Sequence, residues 1–121
     1  MFLSLGDIYA ASGEYLRAIN MYEQAVPLVN DKNRLRIELA KLFLRKKEPN
    51  NSLSYLRQIV DESPRYPAVH RYFGDAYRDA KDRDKAIEHY KKDRTLRGAT
   101  PYVQEQIAAL NRWRAGENKL I

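Results

Sequence analysis

Few side chains in this sequence could do covalent chemistry. It contains no cysteine, so thiolate nucleophiles, disulfides and thiolate metal sites are all unavailable. The two histidines, His70 and His89, are far apart. They form no His-Glu-x-x-His pair, and no glycine-rich phosphate loop accompanies them. His70 stands near the start of a predicted helix and reads as a packed structural histidine. His89, among Glu88, Lys91 and Lys92, is expected on a solvated face. Asp79, Asp82 and Asp84 are close in sequence, but the glycine and distal glutamate of a calcium loop are missing. One of the three is also needed as a helix cap. The sequence therefore predicts no catalytic residue, no cofactor and no metal site.

Recognition chemistry remains. The formal net charge is +6 and the pI about 9.6, which favours acidic partners, nucleic acid or anionic lipid. The bases are interleaved with acids, however, and the densest spots are only Arg45-Lys46-Lys47 and Lys91-Lys92. No apolar run approaches the roughly 20 residues of a membrane span, so no membrane insertion is expected. The stretch from Met1 to Ser12 lacks a basic leader, carries Asp7 and keeps helical periodicity. It reads as a helix and not as a signal peptide.

What positions the charged side chains is a repeat. Leu5-Gly6-Asp7-Ile8-Tyr9 aligns with Leu39-Ala40-Lys41-Leu42-Phe43 and with Phe73-Gly74-Asp75-Ala76-Tyr77. The small residues Gly6, Ala40 and Gly74 recur at a period of 34. Each follows a large apolar residue and precedes an aromatic by three. A second set repeats in phase: Ala18, Tyr22 and Ala25, then Ser52, Leu56 and Ile59, then Ala86, Tyr90 and Asp93. Steps of four and three put each set on one helical face.

Breaks fall where hairpins of helices need them. Gly13 and Lys81-Asp82 lie between paired helices. Asp31 to Asn33, and Ser63-Pro64 with Pro67, separate units. Pro49 and Thr100-Pro101 suit first turns. Pro27 should end or bend the second helix, and Gly116 should close the last. Helices are predicted near 1–12, 14–28, 33–46, 49–62, 67–80, 83–97 and 101–115. The units are about 1–32, 33–66 and 67–100 within one domain of 1–116, followed by a frayed tail at 117–121. The last helix is read as a cap, with Ile107, Ala108 and Leu110 inward and Gln104, Glu105, Asn111 and Arg112 outward.

With these residues in place, the chain resembles the tetratricopeptide repeat (TPR) family. The first unit carries Phe2, Leu5, Gly6, Tyr9, Gly13, Tyr15, Ala18, Tyr22 and Ala25. The third carries Phe73, Gly74, Tyr77, Ala86 and Tyr90. The second keeps Leu39, Ala40, Phe43 and Pro64, with Ser52 where alanine is usual. The expected fold is all-α: a right-handed superhelix of antiparallel helix pairs, an αα-solenoid of about three repeats plus a C-terminal capping helix.

The resemblance implies a protein-interaction module, a scaffold or adaptor holding a peptide or protein segment in a concave groove. Carried over position by position, the groove residues are Asp7 in unit one, Arg34, Ile37, Glu38, Lys41 and Arg45 in unit two, and Arg71, Tyr72, Asp75 and Arg78 in unit three. Leu3, Ala10 and Ala11 belong beside Asp7, and Tyr102, Glu105, Arg112 and Trp113 could add to the groove from the last helix. One subset of the family grips the C-terminal carboxylate of heat-shock chaperones with lysine, asparagine and arginine. The matching places here hold Leu3, Asp7, Glu38, Ala68 and Tyr72, so that ligand is not expected. The basic stripe favours a protein or peptide partner with acidic residues. A nucleic-acid-binding helical repeat stays as the alternative, disfavoured because no regular pair of base-reading residues recurs. The apolar first helix has two readings: a piece cut from a longer array, which is preferred, or a homo-oligomer contact. The cytoplasm is marginally preferred as compartment, though such repeats occur in many.

Overall fold

The computed structural model describes residues 2–113. Seven α-helices follow one another: α1 Phe2–Ala11, α2 Tyr15–Ala25, α3 Lys32–Arg45, α4 Pro49–Glu62, α5 Val69–Asp79, α6 Arg83–Arg97 and α7 Pro101–Arg112. No strand occurs among the described residues. The helices pair as α1 with α2, α3 with α4 and α5 with α6, and α2 meets α3, α4 meets α5 and α6 meets α7. This is the stacked αα-solenoid expected from the repeat. The predicted tail at 117–121 and Gly116 lie outside the described residues.

Local signals set the ends of the helices. Asp31, Asp82 and Thr100 accept hydrogen bonds from the backbone N–H groups of Arg34, Lys85 and Val103 at 3.3, 3.2 and 3.4 Å. Each removes one donor that the first helical turn leaves unsatisfied. Pro27 does end α2: the helix stops at Ala25 and continues as a 3-10 turn over Val26–Leu28. The 34-residue period extends to the hairpin turns. Gly13, Lys47 and Lys81 occupy the left-handed region with φ of 78°, 63° and 67°. The next residue in each case donates back into the preceding helix: Glu14 to Tyr9, Glu48 to Phe43 and Asp82 to Tyr77. Between units two and three Ala68 is also left-handed, at φ 67°, which delays α5 to Val69 instead of the predicted Pro67.

Within a hairpin, the small and bulky residues meet. A methyl group added to Gly6 would lie 2.6 Å from the Tyr22 ring, and one added to Gly74 would lie 2.5 Å from the Tyr90 ring. Both are far inside van der Waals contact. Unit two solves the same packing with Ala40 and Leu56, both fully buried. Three buried clusters result, centred on Leu39 with Tyr22, on Leu56 with Phe73, and on Tyr90 with Leu110. In α7 the inward residues are Val103, Ile107 and Leu110, and Ala108 is exposed, contrary to its predicted placement. Trp113 is buried in the third cluster. At the other end, Ile8 is 59% exposed, whereas its counterparts Leu42 and Ala76 are buried.

His89 corrects the sequence expectation most clearly. It is not on a solvated face, because its side chain is 13% exposed. Its ring stacks on Phe73 and Tyr77 at 4.6 and 5.4 Å between centroids. Its Nδ1 lies 2.9 Å from Nδ1 of His70, so one ring donates and the other accepts. Burial, then the neighbouring His70, pushes the His89 pKa down from 6.5 to about 4. Burial, then the charge of Lys92, lowers that of His70 as well.

Two expectations follow. Gly74→Ala should lower stability to urea by about 1–3 kcal/mol through overpacking against Tyr90. Tyr90→Leu should also destabilise, but the double variant rebuilds the Ala40–Leu56 arrangement. It should therefore retain about 1–2 kcal/mol more than the sum of the single losses allows. Strict additivity would show that the ring does not dictate the glycine. For His89, the unfolded chain takes up a proton near pH 6.5 while the folded chain resists until about pH 4. Its contribution to stability is thus complete above pH 6.5 and is lost as pH falls through that window. Unfolding at pH 5 should show a loss on the order of 1–2 kcal/mol relative to pH 7. His89→Phe, which keeps the stack, should flatten this slope, and an unchanged slope would assign it to other groups.

Candidate recognition wall on the first helices of the units

Nine of the ten residues assigned to the groove by resemblance line one of two hollows. Lys41, Arg45, Arg71, Tyr72, Asp75 and Arg78 come together around a hollow of about 340 Å³ between α3 and α5, joined by Leu44, Lys47 and Asp79. Asp7, Arg34 and Glu38 line a second hollow of about 280 Å³ between α1 and α3, with Leu3, Tyr22, Val29, Asp31 and Leu35. Ile37 lies in neither; it is half-buried against the second core cluster. Of the additions from the last helix, Tyr102 is half-buried and Trp113 buried, while Glu105 and Arg112 are exposed.

The two hollows differ in charge. Around the first stand three carboxylates, Asp7, Asp31 and Glu38, and one cation, Arg34. Around the second stand five cations and two carboxylates. A salt bridge of 3.6 Å between Glu38 and Lys41 joins them.

The two carboxylates of the basic hollow are already engaged. Asp75 is 7% exposed. It accepts hydrogen bonds from the hydroxyls of Tyr90 and Tyr102, the latter at 2.6 Å. One carboxylate oxygen thereby ties α5 to α6 and α7. Burial, then the adjacent Asp75 charge, holds the Tyr90 phenol far above its ordinary pKa, and burial with the Asp75 hydrogen bond raises Tyr102 likewise. Both remain donors. Arg78 is spent too: it donates to Tyr102 at 3.1 Å, to Gln106 at 2.9 Å, and to Asp79 at 3.2 and 3.3 Å. Asp75 and Arg78 therefore build this wall and have little left to offer a ligand. Sequence reading placed them in the groove and missed the network that occupies them. The signal was the recurrence of Asp75 and Tyr90 at the positions of Asp7 and Tyr22, which make the same hydroxyl–carboxylate bond in unit one.

Arg45, Lys47 and Arg71 are differently placed. Among the described residues, no carboxylate comes within 4.0 Å of their charged nitrogens. The Arg71 guanidinium lies over the Tyr102 ring at 4.3 Å and the Tyr72 ring at 5.5 Å.

No group of three or more metal-ligating side chains occurs among the described residues, and no described helix is long and apolar enough to cross a membrane. The family model for the tetratricopeptide repeat matches residues 3–67 and 37–95. The chain belongs to the tetratricopeptide repeat family. Solved TPR domains superpose on it. The first TPR of Spaghetti (RPAP3) bound to HSP90 peptide SRMEEVD has a TM-score of 0.83 at 17% identity, covering 91% of this chain and 89% of that one. The Sgt2 TPR domain from Aspergillus fumigatus gives 0.81 at 20% identity, with 92% and 75% covered. The second TPR domain of human RPAP3, in complex with HSP70 peptide SGPTIEEVD, gives 0.80 at 15% identity, with 89% and 90% covered. At these identities the likeness is one of fold. No curated protein matches the chain.

The TPR wall yields a stability contrast. Asp75→Ala strands the buried Tyr90 hydroxyl and takes the acceptor from the half-buried Tyr102 hydroxyl, and should cost about 2–3 kcal/mol, with faster amide exchange in α7. Asp7→Ala, at the exposed counterpart, should cost under about 1 kcal/mol. Equal losses at the two sites would show that Asp75 does not tie the helices together.

Proposed function

We propose that this TPR domain is a protein-interaction module that holds an extended segment of a partner protein along the wall of α1, α3 and α5, with acidic side chains of that segment over unit two and the start of unit three. One observation carries the reading. Lys41, Arg45, Lys47 and Arg71 line a single hollow whose two carboxylates are held by tyrosines and by Arg78. A cavity in which five cations face two carboxylates attracts the opposite charge from outside. Arginine and tyrosine side by side also supply the residue types that concentrate binding energy at interfaces.

Two structural neighbours hold peptides ending in Glu-Glu-Val-Asp, which supports a peptide-binding role for a wall of this shape. The chaperone-tail ligand itself does not fit this chain. Asp7, Asp31 and Glu38 surround the hollow of unit one, where a terminal carboxylate would meet like charge. Ala68 and Tyr72 stand where the resemblance requires cations.

Capture from a native extract on the immobilised chain tests the proposal. Lys41→Glu with Arg45→Glu should abolish capture of the bound protein while circular dichroism stays unchanged, because neither residue belongs to the Asp75 network. Arg78→Glu is a poorer test, since it would break that network. Undiminished capture by the Lys41/Arg45 variant would sink the reading.

A further inference from the structure

Among the described residues, Arg71 is a cation of the wall held by aromatic rings with no anion within salt-bridge distance. Its guanidinium lies over the Tyr102 ring at 4.3 Å and near the Tyr72 ring at 5.5 Å from the ring centres. Tyr102 is itself pinned through its hydroxyl to Asp75 at 2.6 Å. The Arg71 Nε is shut off from solvent and donates to no acceptor. Stacking of this kind orients a planar guanidinium without using its N–H donors. A guanidinium held in place with its donors unspent is the arrangement that binds an oxyanion with least loss of freedom.

Further cations approach from α3 and the turn after it, of which Lys41 is already paired with Glu38 at 3.6 Å. Lys41 and Arg45 are one turn apart on α3, and Lys47 follows in the turn after it. All three line the same hollow of about 340 Å³ as Arg71. Cations on two facing walls suit two separate carboxylates better than a single phosphoryl group, because each carboxylate can meet its own partner.

We infer that Arg71, with Arg45 and Lys47 across the hollow, forms a site for a pair of adjacent acidic side chains in the partner segment. This rests on the interaction reading above and gives that surface its ligand chemistry. Of the positions at which the resemblance would place a terminal-carboxylate grip, Leu3, Asp7, Glu38, Ala68 and Tyr72, only Tyr72 lines this hollow, and it carries no charge to hold a chain end. The site therefore reads internal acidic residues and not a chain end.

The test uses the full chain, a capped Glu-Glu dipeptide and inorganic phosphate, at low ionic strength where exposed charges are least screened. The side-chain Nε–H resonances of Arg45 and Arg71 are followed by NMR. The dipeptide should shift both signals saturably, and more tightly than phosphate does. Arg71→Gln should weaken dipeptide binding, read at Arg45, by tenfold or more. Arg71→Lys, which keeps the charge and loses the planar stack, should weaken it about fivefold. Arg57→Gln, an equal loss of charge at an exposed position on α4, should leave it unchanged. Equal weakening by Arg57→Gln and Arg71→Gln would reduce the site to general basicity and overturn the inference. Binding of phosphate alone, or no shift at all, would overturn it as well. If the dipeptide fails while Lys41→Glu with Arg45→Glu still abolishes capture, the wall keeps its partner and the Arg71 site falls. If the dipeptide binds and capture is unaffected, the paired-carboxylate site stands and the interaction reading falls.

Discussion

The contact between a glycine on the first helix of a unit and a tyrosine ring on the second governs the rest of the structure. Gly6 under Tyr22 and Gly74 under Tyr90 leave no room for a methyl group, so the paired helices approach as closely as backbone and ring allow. That approach carries the tyrosine hydroxyl past the glycine to the next residue along, Asp7 in unit one and Asp75 in unit three. A packing requirement thus becomes a polar one. A buried phenol needs an acceptor, and the residue after the glycine supplies it. In unit three the acceptor is shared with Tyr102, and α7 is tied to α5 through the same oxygen.

Charge on the wall follows from this arrangement. Asp75 and Asp79 are acids in sequence, and a count of residues would set them against the neighbouring bases. The hydroxyls and Arg78 hold them in place away from Arg45, Lys47 and Arg71, and two carboxylates against five cations leave the hollow positive. The wall's electrostatics are set by which ions are left over after the helices have packed. A buried, satisfied carboxylate rigidifies its surroundings, and the stack of Arg71 on Tyr102 inherits that rigidity.

Much of the fold was legible because its signal is periodic. Gly6, Ala40 and Gly74, with Tyr22, Leu56 and Tyr90, mark hairpins whatever surrounds them, and Pro27, Pro49 and Pro101 mark ends through backbone geometry alone. What escaped depends on neighbours distant in sequence. His89 sits among charged residues in the chain, yet its ring is buried by Phe73, Tyr77 and His70 from the facing helix. One period earlier stands Tyr55, which stacks on Phe43 at 5.8 Å as His89 stacks on Tyr77. Reading the repeat at that position would have placed it. Ala108 was assigned inward from local spacing, but Val103 sets the face of α7 that meets α6. Arg78 and Arg71 are indistinguishable as sequence letters. Only the structure shows that one is bonded on every side and the other lacks an anion.

Unit two explains why the wall changes sign along its length. There Leu56 replaces the tyrosine and Ala40 the glycine, so the unit has no phenol to satisfy. The position after the small residue is thereby released from its duty as an acceptor, and it holds Lys41 where the flanking units hold Asp7 and Asp75. Glycine with tyrosine demands a carboxylate next to the glycine, whereas alanine with leucine permits a cation. Because α3 is central, that one exchange places a lysine between the acidic hollow of unit one and the basic hollow of units two and three. It also lets the lysine reach Glu38 at 3.6 Å, so the boundary between the two charge regions is itself an ion pair. Restoring the tyrosine and aspartate in unit two would extend the Asp75 type of bond along the wall and remove a positive charge from its middle. The choice of packing residue in the core thus decides the charge presented at the surface.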